Sequence, residues 1–161
     1  MPVWRYPQLK GVDPKRIAKA VIRDAPISYK EAYEICKVIR GMMLKDAKEL
    51  LKKVIELREP IPMTRYKLGI AHKPGLADRW PRWRVPIGRY PVKAAKYILK
   101  LLENVENNAV NVKGLNGDRL KIVHIAAHRG PYRKKWMPRA FGRATPWFGS
   151  TASVEVIVAE V

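Results

Sequence analysis

The sequence predicts an α+β fold on three observations. Apolar residues repeat at helical spacing in three segments, within residues 32–39, 44–54 and 94–105. Runs rich in β-branched residues lie outside them, at residues 16–23, 120–127 and 153–158. The stretch joining the last two runs, residues 119–154, contains no Asp or Glu but carries basic residues along its length. If its flanking strands pair, its centre is a long projecting hairpin.

Residues 1–12 hold Pro2, Trp4, Tyr6 and Pro7 and read as an extended arm. In residues 16–23, Ile17, Lys19, Val21 and Arg23 do not alternate cleanly, but Pro26 closes the segment quickly and a strand is predicted. Ser28 with Glu31 three residues later is a capping-box pair that marks a helix start. Ala32, Ile35, Cys36 and Ile39 continue it, and Gly41 is suited to end it. A second helix is predicted over residues 44–58, burying Leu44, Ala47, Leu51 and Val54, until Glu59-Pro60-Ile61-Pro62 stops it.

Residues 61–90 break every regular period with Pro62, Pro74, Pro81, Pro86 and several glycines. Tyr66, Trp80, Trp83 and Tyr90 alternate there with Arg65, Arg79, Arg82, Arg84 and Arg89, and Asp78 is the one acid. A loop this long in a small domain points to disorder or to binding, and its aromatics favour binding. Arg82, Trp83 and Arg84 are expected to dock on a partner and not in the core. Pro91 suits the first position of a third helix, with Ala94, Ile98, Leu101, Leu102 and Val105 inward, ending near Asn107-Asn108. Residues 113–118 read as a turn, and strands follow at residues 120–127 and 153–158.

The chain has 161 residues, 47% of them hydrophobic, enough for one domain with a real core. Residues 12–128 and 150–161 are expected to form the body, residues 129–149 the hairpin arm, and residues 61–90 a basic aromatic insertion. Lys and Arg total 33 against 14 Asp and Glu, a formal charge of +19. A compact domain so charged repels itself, which disfavours a homo-oligomer and favours a polyanionic partner, nucleic acid before an anionic membrane surface. The single Cys36, inside a helical pattern, suits a reducing compartment and a buried packing role. No stretch reaches the ~18 uncharged apolar residues of a membrane span, and residues 1–10 show no secretory h-region, so a cytoplasmic protein without membrane contact is expected.

Nothing in the sequence predicts catalysis or a cofactor. His124 and His128 would lie about 13 Å apart along a strand, with no neighbouring carboxylate in sequence, so no metal site is expected. No Gly-rich phosphate loop occurs. Most acids sit on helices where they can pair with Lys or Arg four residues away, as Glu49 can with Lys53.

The arm carries Arg129, Arg133, Lys134, Lys135, Arg139 and Arg143, with Tyr132, Trp136 and Phe141 among them. A run from residue 119 to 137 could extend roughly 60 Å at ~3.3 Å per residue. A two-stranded ribbon of one charge sign is marginal alone. It is expected to order on a partner, the cations meeting phosphates and the aromatics stacking on unpaired bases. A flexible basic tail is the alternative, disfavoured because a strand anchors its far end.

Met137-Pro138-Arg139-Ala140-Phe141-Gly142-Arg143-Ala144, preceded by Arg129-Gly130-Pro131, resembles the hairpin of the universal large-subunit ribosomal protein family numbered twenty-two. Ser28-Tyr29-Lys30, Ile39-Arg40-Gly41 and Asn108-Ala109 agree with that family over nearly the whole chain. The long segment 61–90 and Lys113-Gly114-Leu115 are similar to its archaeal and eukaryotic branch. Asn116-Gly117-Asp118 is less acidic, and Pro146-Trp147-Phe148-Gly149 less basic, than some members have there.

The resemblance implies three helices packed on a small antiparallel sheet with a projecting hairpin. It also implies a structural constituent of the large subunit that binds its rRNA, supports assembly and lines the nascent-peptide exit tunnel. The implied partners are large-subunit rRNA, neighbouring large-subunit proteins and the nascent peptide. With the basic reading it marks Arg16, Lys19, Lys30, Arg40, Arg65, Arg79, Arg82, Trp83, Arg84, Arg89, Arg129, Tyr132, Arg133, Lys134, Lys135, Arg139, Phe141 and Arg143 for rRNA. Lys135, Trp136, Met137, Pro138 and Arg139 are marked for the tunnel tip. A free-standing RNA chaperone or an RNA-processing subunit is the alternative.

Overall fold

The computed structural model describes residues 4–8 and 13–161, so most of the expected N-terminal arm lies outside the described residues. Strand β1 (Ile17–Ala25) leads to helices α1 (Tyr29–Ile39) and α2 (Leu44–Ile55). The segment 61–90 contains β2 (Ile61–Pro62), the one-turn helix α3 (Leu76–Arg79) and β3 (Gly88–Arg89). Helix α4 (Val92–Asn107) follows, then β4 (Leu120–Arg129), β5 (Trp136–Pro138), β6 (Ala144–Pro146) and β7 (Ala152–Glu160). The architecture is α+β with three long helices on an antiparallel sheet, as expected, plus the short α3.

The sheet runs β1-β7-β4, with both pairings antiparallel. The last strand in the chain is thus the central one, and its residues 152–159 are all buried. Val154, Val156 and Val158 face the helices, in one core with Ile35, Ile39, Leu51, Ile98, Leu102 and Ile122. The opposite face buries Ile157 and Ala159 with Ile17, under Tyr6 and Val123. Tyr6 thereby places the described part of the N-terminal segment across the sheet face that the helices leave open.

Several boundaries depart from the sequence reading for physical reasons. Ser28 takes the extended backbone of an N-cap, yet its side chain makes no capping bond. Ile27 and Ala32 are instead buried together in the core at the two positions of a hydrophobic staple, which fixes the helix entry. Helix α2 ends at Ile55, not at residue 58. Leu57 adopts φ 62°, its N–H donates to Val54 O, and the Arg58 N–H donates to Lys53 O. That is a Schellman stop built on Leu where Gly is usual. Pro91 takes the N-cap of α4, one position before the first helical turn.

The segment 61–90 is not an open loop. Ile61 pairs with Arg89 and Pro62 with Gly88, closing its base. Leu76 and Met63 are buried, and Lys73 N–H donates to Pro86 O. Gly88 permits this closure, because a Cβ there would lie 2.5 Å from Leu76 Cδ2 and 3.0 Å from Ile61 O. Trp83 is half-buried against the main core, 5.7 Å from the Trp80 ring, whereas Arg82 and Arg84 are exposed. The expectation that all three stay off the core is corrected for Trp83.

Candidate RNA interface

β4 and β7 pair through Arg129 and Ala152, and the chain between them leaves the body as a ribbon. The ribbon is laddered along its length: Arg133 and Gly149 exchange backbone bonds, and Trp136, Met137 and Pro138 pair with Pro146, Thr145 and Ala144. The turn lies at residues 139–143, where Arg139 N–H donates to Arg143 O and Phe141 and Gly142 take φ 59° and 66°. The tip expected at Lys135, Trp136, Met137, Pro138 and Arg139 is therefore displaced; only Arg139 reaches the reversal, and the others form its ascending side. Pro138 tolerates a strand position here because a two-stranded ribbon has an outward edge that needs no donor. Since residues 120–129 belong to the body sheet, the free arm spans residues 130–141, roughly 40 Å at strand rise and shorter than the 60 Å expected.

Arg133, Lys134, Lys135, Arg139 and Arg143 are all exposed on this arm, with Phe141 at 93% and Tyr132 and Trp136 at about 60% exposure. Trp136 meets Phe148 edge-on at 5.7 Å. Among the described residues, none of the five cations forms an ion pair with a carboxylate. The arm is a strip of one charge sign with aromatic faces between the charges.

At the arm's root the fold gathers residues that are distant in sequence. Arg129, the last residue of β4, lies over the Tyr29 ring at 5.3 Å. Arg65 lies over Tyr33 at 5.2 Å and over Tyr66 at 5.6 Å, and Lys30 over Tyr66 at 5.6 Å. The three tyrosines contact one another with centroids 5.9–6.5 Å apart. Guanidinium groups stacked on rings keep their edges for phosphate oxygens. Tyr29 and Tyr33 were missed as site residues in the sequence. Their spacing of four residues beside Lys30, Lys37 and Arg40 was the available signal for a cationic aromatic face on α1.

Arg40 and Arg82 line a cleft beside this cluster, with Arg40 Nη2 donating to Ile125 O at 2.7 Å. Arg79 and Arg84 are exposed on the insertion, and Arg89 holds it closed through a bond to Gly69 O. Arg16 and Lys19 do not join the group. Arg16 ends the short helical turn before β1, and Lys19 lies near the start of β1, where it stacks over Tyr6 at 5.6 Å on the far face of the sheet. Cys36 is buried, and that burial pushes its thiol up to about 12 with only partial opposition from Arg40, so it packs and does not react.

Two buried carboxylates, also missed, organise the surroundings. Glu34 on α1 accepts from Thr64 Oγ1 at 2.8 Å and from the amides of Arg65 and Tyr66 at 2.7 and 3.0 Å. It thereby fixes the first turn of the insertion to α1. Glu155 of β7 accepts from Trp4 Nε1 at 2.7 Å and lies 3.0 Å and 3.3 Å from the Nε2 atoms of His124 and His128. The histidines flank Ala126, the residue paired with Glu155, so the strand spacing that separates them lets one carboxylate reach both. The absence of a carboxylate near them is thus corrected, although no group of three or more His, Cys, Asp or Glu able to hold a metal occurs among the described residues. Burial raises the Glu155 carboxyl, but the bonds from Trp4, His124 and His128 outweigh it and hold the group below the usual carboxylate range.

Residues 20–159 match the family model described as Ribosomal protein L22p/L17e. The large ribosomal subunit protein uL22 of Staphylothermus marinus is 58% identical over 161 residues, covering 100% of this chain and 99% of the relative. Its counterpart in Ignicoccus hospitalis is 56% identical with 100% and 99% covered. That of Methanopyrus kandleri is 48% identical with 98% and 96% covered.

Proposed function

The chain belongs to the ribosomal protein L22p/L17e family, and from that premise we propose that its arm and basic insertion bind large-subunit rRNA, support subunit assembly and line the nascent-peptide exit tunnel. As a member of that family it is a structural constituent of the large ribosomal subunit and not an enzyme. The observation that carries the rRNA reading is the carboxylate-free, ion-pair-free arm, joined at its root to the cation–tyrosine cluster. A protein surface of mixed charge cannot neutralise such a strip, whereas closely spaced phosphates do.

The tunnel reading is supported by shape. A ribbon roughly 40 Å long and one hairpin wide reaches into a channel that the body cannot enter. Its exposed Phe141 and Trp136 suit contact with RNA bases or a passing peptide. The chain acts here as one domain and a single copy, meeting rRNA and neighbouring ribosomal proteins in the cytoplasm. No helix among the described residues is long and apolar enough to cross a membrane.

The test is binding of the full chain to a large-subunit rRNA transcript across a salt series, with sedimentation of extract as its companion. Affinity is expected to fall steeply with salt, by ~10³-fold or more between 50 and 200 mM if six or more phosphates are engaged. A flat salt response sinks the electrostatic account. Recovery of the protein only in light fractions, away from the large subunit, favours a free-standing RNA chaperone.

A further inference from the structure

The cleft between α1 and β4 has a composition that general charge attraction does not account for. Its volume is about 260 Å³, just below the ~300 Å³ at which pockets for whole small ligands begin. Tyr29 and Tyr33 form one wall, Ala127 lies on the β4 side, and Lys37, Arg40 and Arg82 stand at the rim. No carboxylate lines it, whereas two other clefts are bordered by Glu31 and by Glu103.

The rim groups are held by bonds that leave donors to spare. Arg40 donates one N–H to Ile125 O, Lys37 one to Thr64 Oγ1, and Arg82 stacks on Trp83 at 5.3 Å. A guanidinium has five N–H donors and an ammonium three, so each keeps others for a ligand. A small floor, an aromatic wall and a cationic rim match a planar base with its phosphate. The volume excludes a base pair, and bases inside a duplex have no free face to offer.

Resting on the rRNA reading above, we propose that this cleft receives one unstacked nucleotide of single-stranded RNA, its base against Tyr33 over Ala127 and its phosphate on Arg40 and Arg82. The site makes rRNA binding at the root of the arm selective for an extruded nucleotide, where the arm itself reads only backbone charge and exposed faces.

The experiment measures affinity of the full chain for a large-subunit rRNA transcript at several salt concentrations. Tyr33→Leu removes the ring and no cation. Ala127→Leu fills the cleft from its floor and removes no group. Each is expected to weaken binding roughly 5- to 150-fold, the range for losing one stacked base, with an unchanged slope of log affinity against log salt. Arg82→Gln is expected to flatten that slope by about one phosphate. Wild-type affinity in Ala127→Leu overturns the pocket and leaves binding by the arm intact. A changed salt slope in Tyr33→Leu also overturns it, because the ring would then act only through Arg65. Failure of the wild-type chain to bind the transcript at all refutes the underlying rRNA reading instead.

Discussion

Replacing Glu34 by Ala should detach the start of the insertion from α1 and destabilise the protein by about 3 kcal/mol. The carboxylate is fully buried and accepts from the Thr64 hydroxyl and from two amides. Bonds to a charged acceptor contribute ~1.5–3 kcal/mol each, so three give an upper bound of roughly 4.5–9 kcal/mol. Two effects reduce it. Arg65 is exposed and Thr64 and Tyr66 are half-exposed, so water can reach the released donors. Removing the carboxylate also relieves its own burial cost, as with other buried charges.

The assay is urea unfolding with amide exchange. At a slope of ~2–3 kcal/mol/M, 3 kcal/mol moves the midpoint down by roughly 1–1.5 M. The Arg65 and Tyr66 amides should lose protection while those in the middle of α4 keep theirs at matched stability. Glu34→Gln should cost far less. Its carbonyl oxygen can still accept both amides, and its NH₂ can donate to Thr64. An Ala variant whose midpoint stays within ~0.2 M of wild type, with both amides still protected, refutes the reasoning, since at the same slope such a shift is under about 0.6 kcal/mol.

Deleting residues 132–143 should leave the body folded, because this stretch is exposed apart from partly covered Met137; melting should move by no more than about 4 °C, checked by circular dichroism. A larger fall would place the arm within the cooperative core. Gly130→Ala should destabilise by about 1–3 kcal/mol in chemical denaturation, because a Cβ there overlaps Thr151 Oγ1 and lies 2.9 Å from Asp24 Oδ1. Glu155 titrates below the ordinary glutamate value, so its contribution is complete above the unfolded pKa of ~4.3 and fades as pH falls through the lower folded value. The stability gap between wild type and Glu155→Gln, measured by urea midpoints at neutral and acid pH, should therefore narrow towards acid; a gap that widens refutes that sign.

The parts legible in the sequence are those whose signal is periodic. The stripes of α1, α2 and α4 are read from Ile35, Leu51 and Ile98 because amphipathic spacing determines which face is buried. The arm follows from strands on both sides of a carboxylate-free run. What escaped depends on single residues acting against type. Leu57 ends α2 in a conformation that favours Gly. The pairing of β2 with β3 spans two residues a side and relies on Gly88 for close approach, too short to show a period. The turn at residues 139–143 uses Phe141 with Gly142, past the tip that the resemblance marked at residues 135–139. In the site, charge identified Arg65 and Arg129, but only the fold brings Tyr29, Tyr33 and Tyr66 beneath them.

Glu34 and Glu155 look alike in the sequence, one beside an apolar stripe and one inside a strand, and neither advertises burial. In a chain of charge +19 their partners are informative. Glu34 takes a hydroxyl and two amides, and Glu155 takes an indole and two imidazoles. Neither forms an ion pair with Arg65, with Arg129 or with any lysine among the described residues. A carboxylate salt-bridged to Arg65 or Arg129 would fix that cation equally well but cancel the charge offered to phosphate. Glu34 gives the positioning without covering the guanidinium: held by a hydroxyl and two amides, it anchors the backbone from which Arg65 projects, while Glu155 anchors Trp4 across the sheet. The acids that do pair with Lys or Arg are on α2 and α4 and in the turns after them, at Glu49, Glu56, Glu106 and Asp118, away from the tyrosine cluster. The carboxylates that pair with Lys or Arg therefore lie apart from the arm and the tyrosine cluster, whose cations keep their edges open, a division that net charge alone does not reveal.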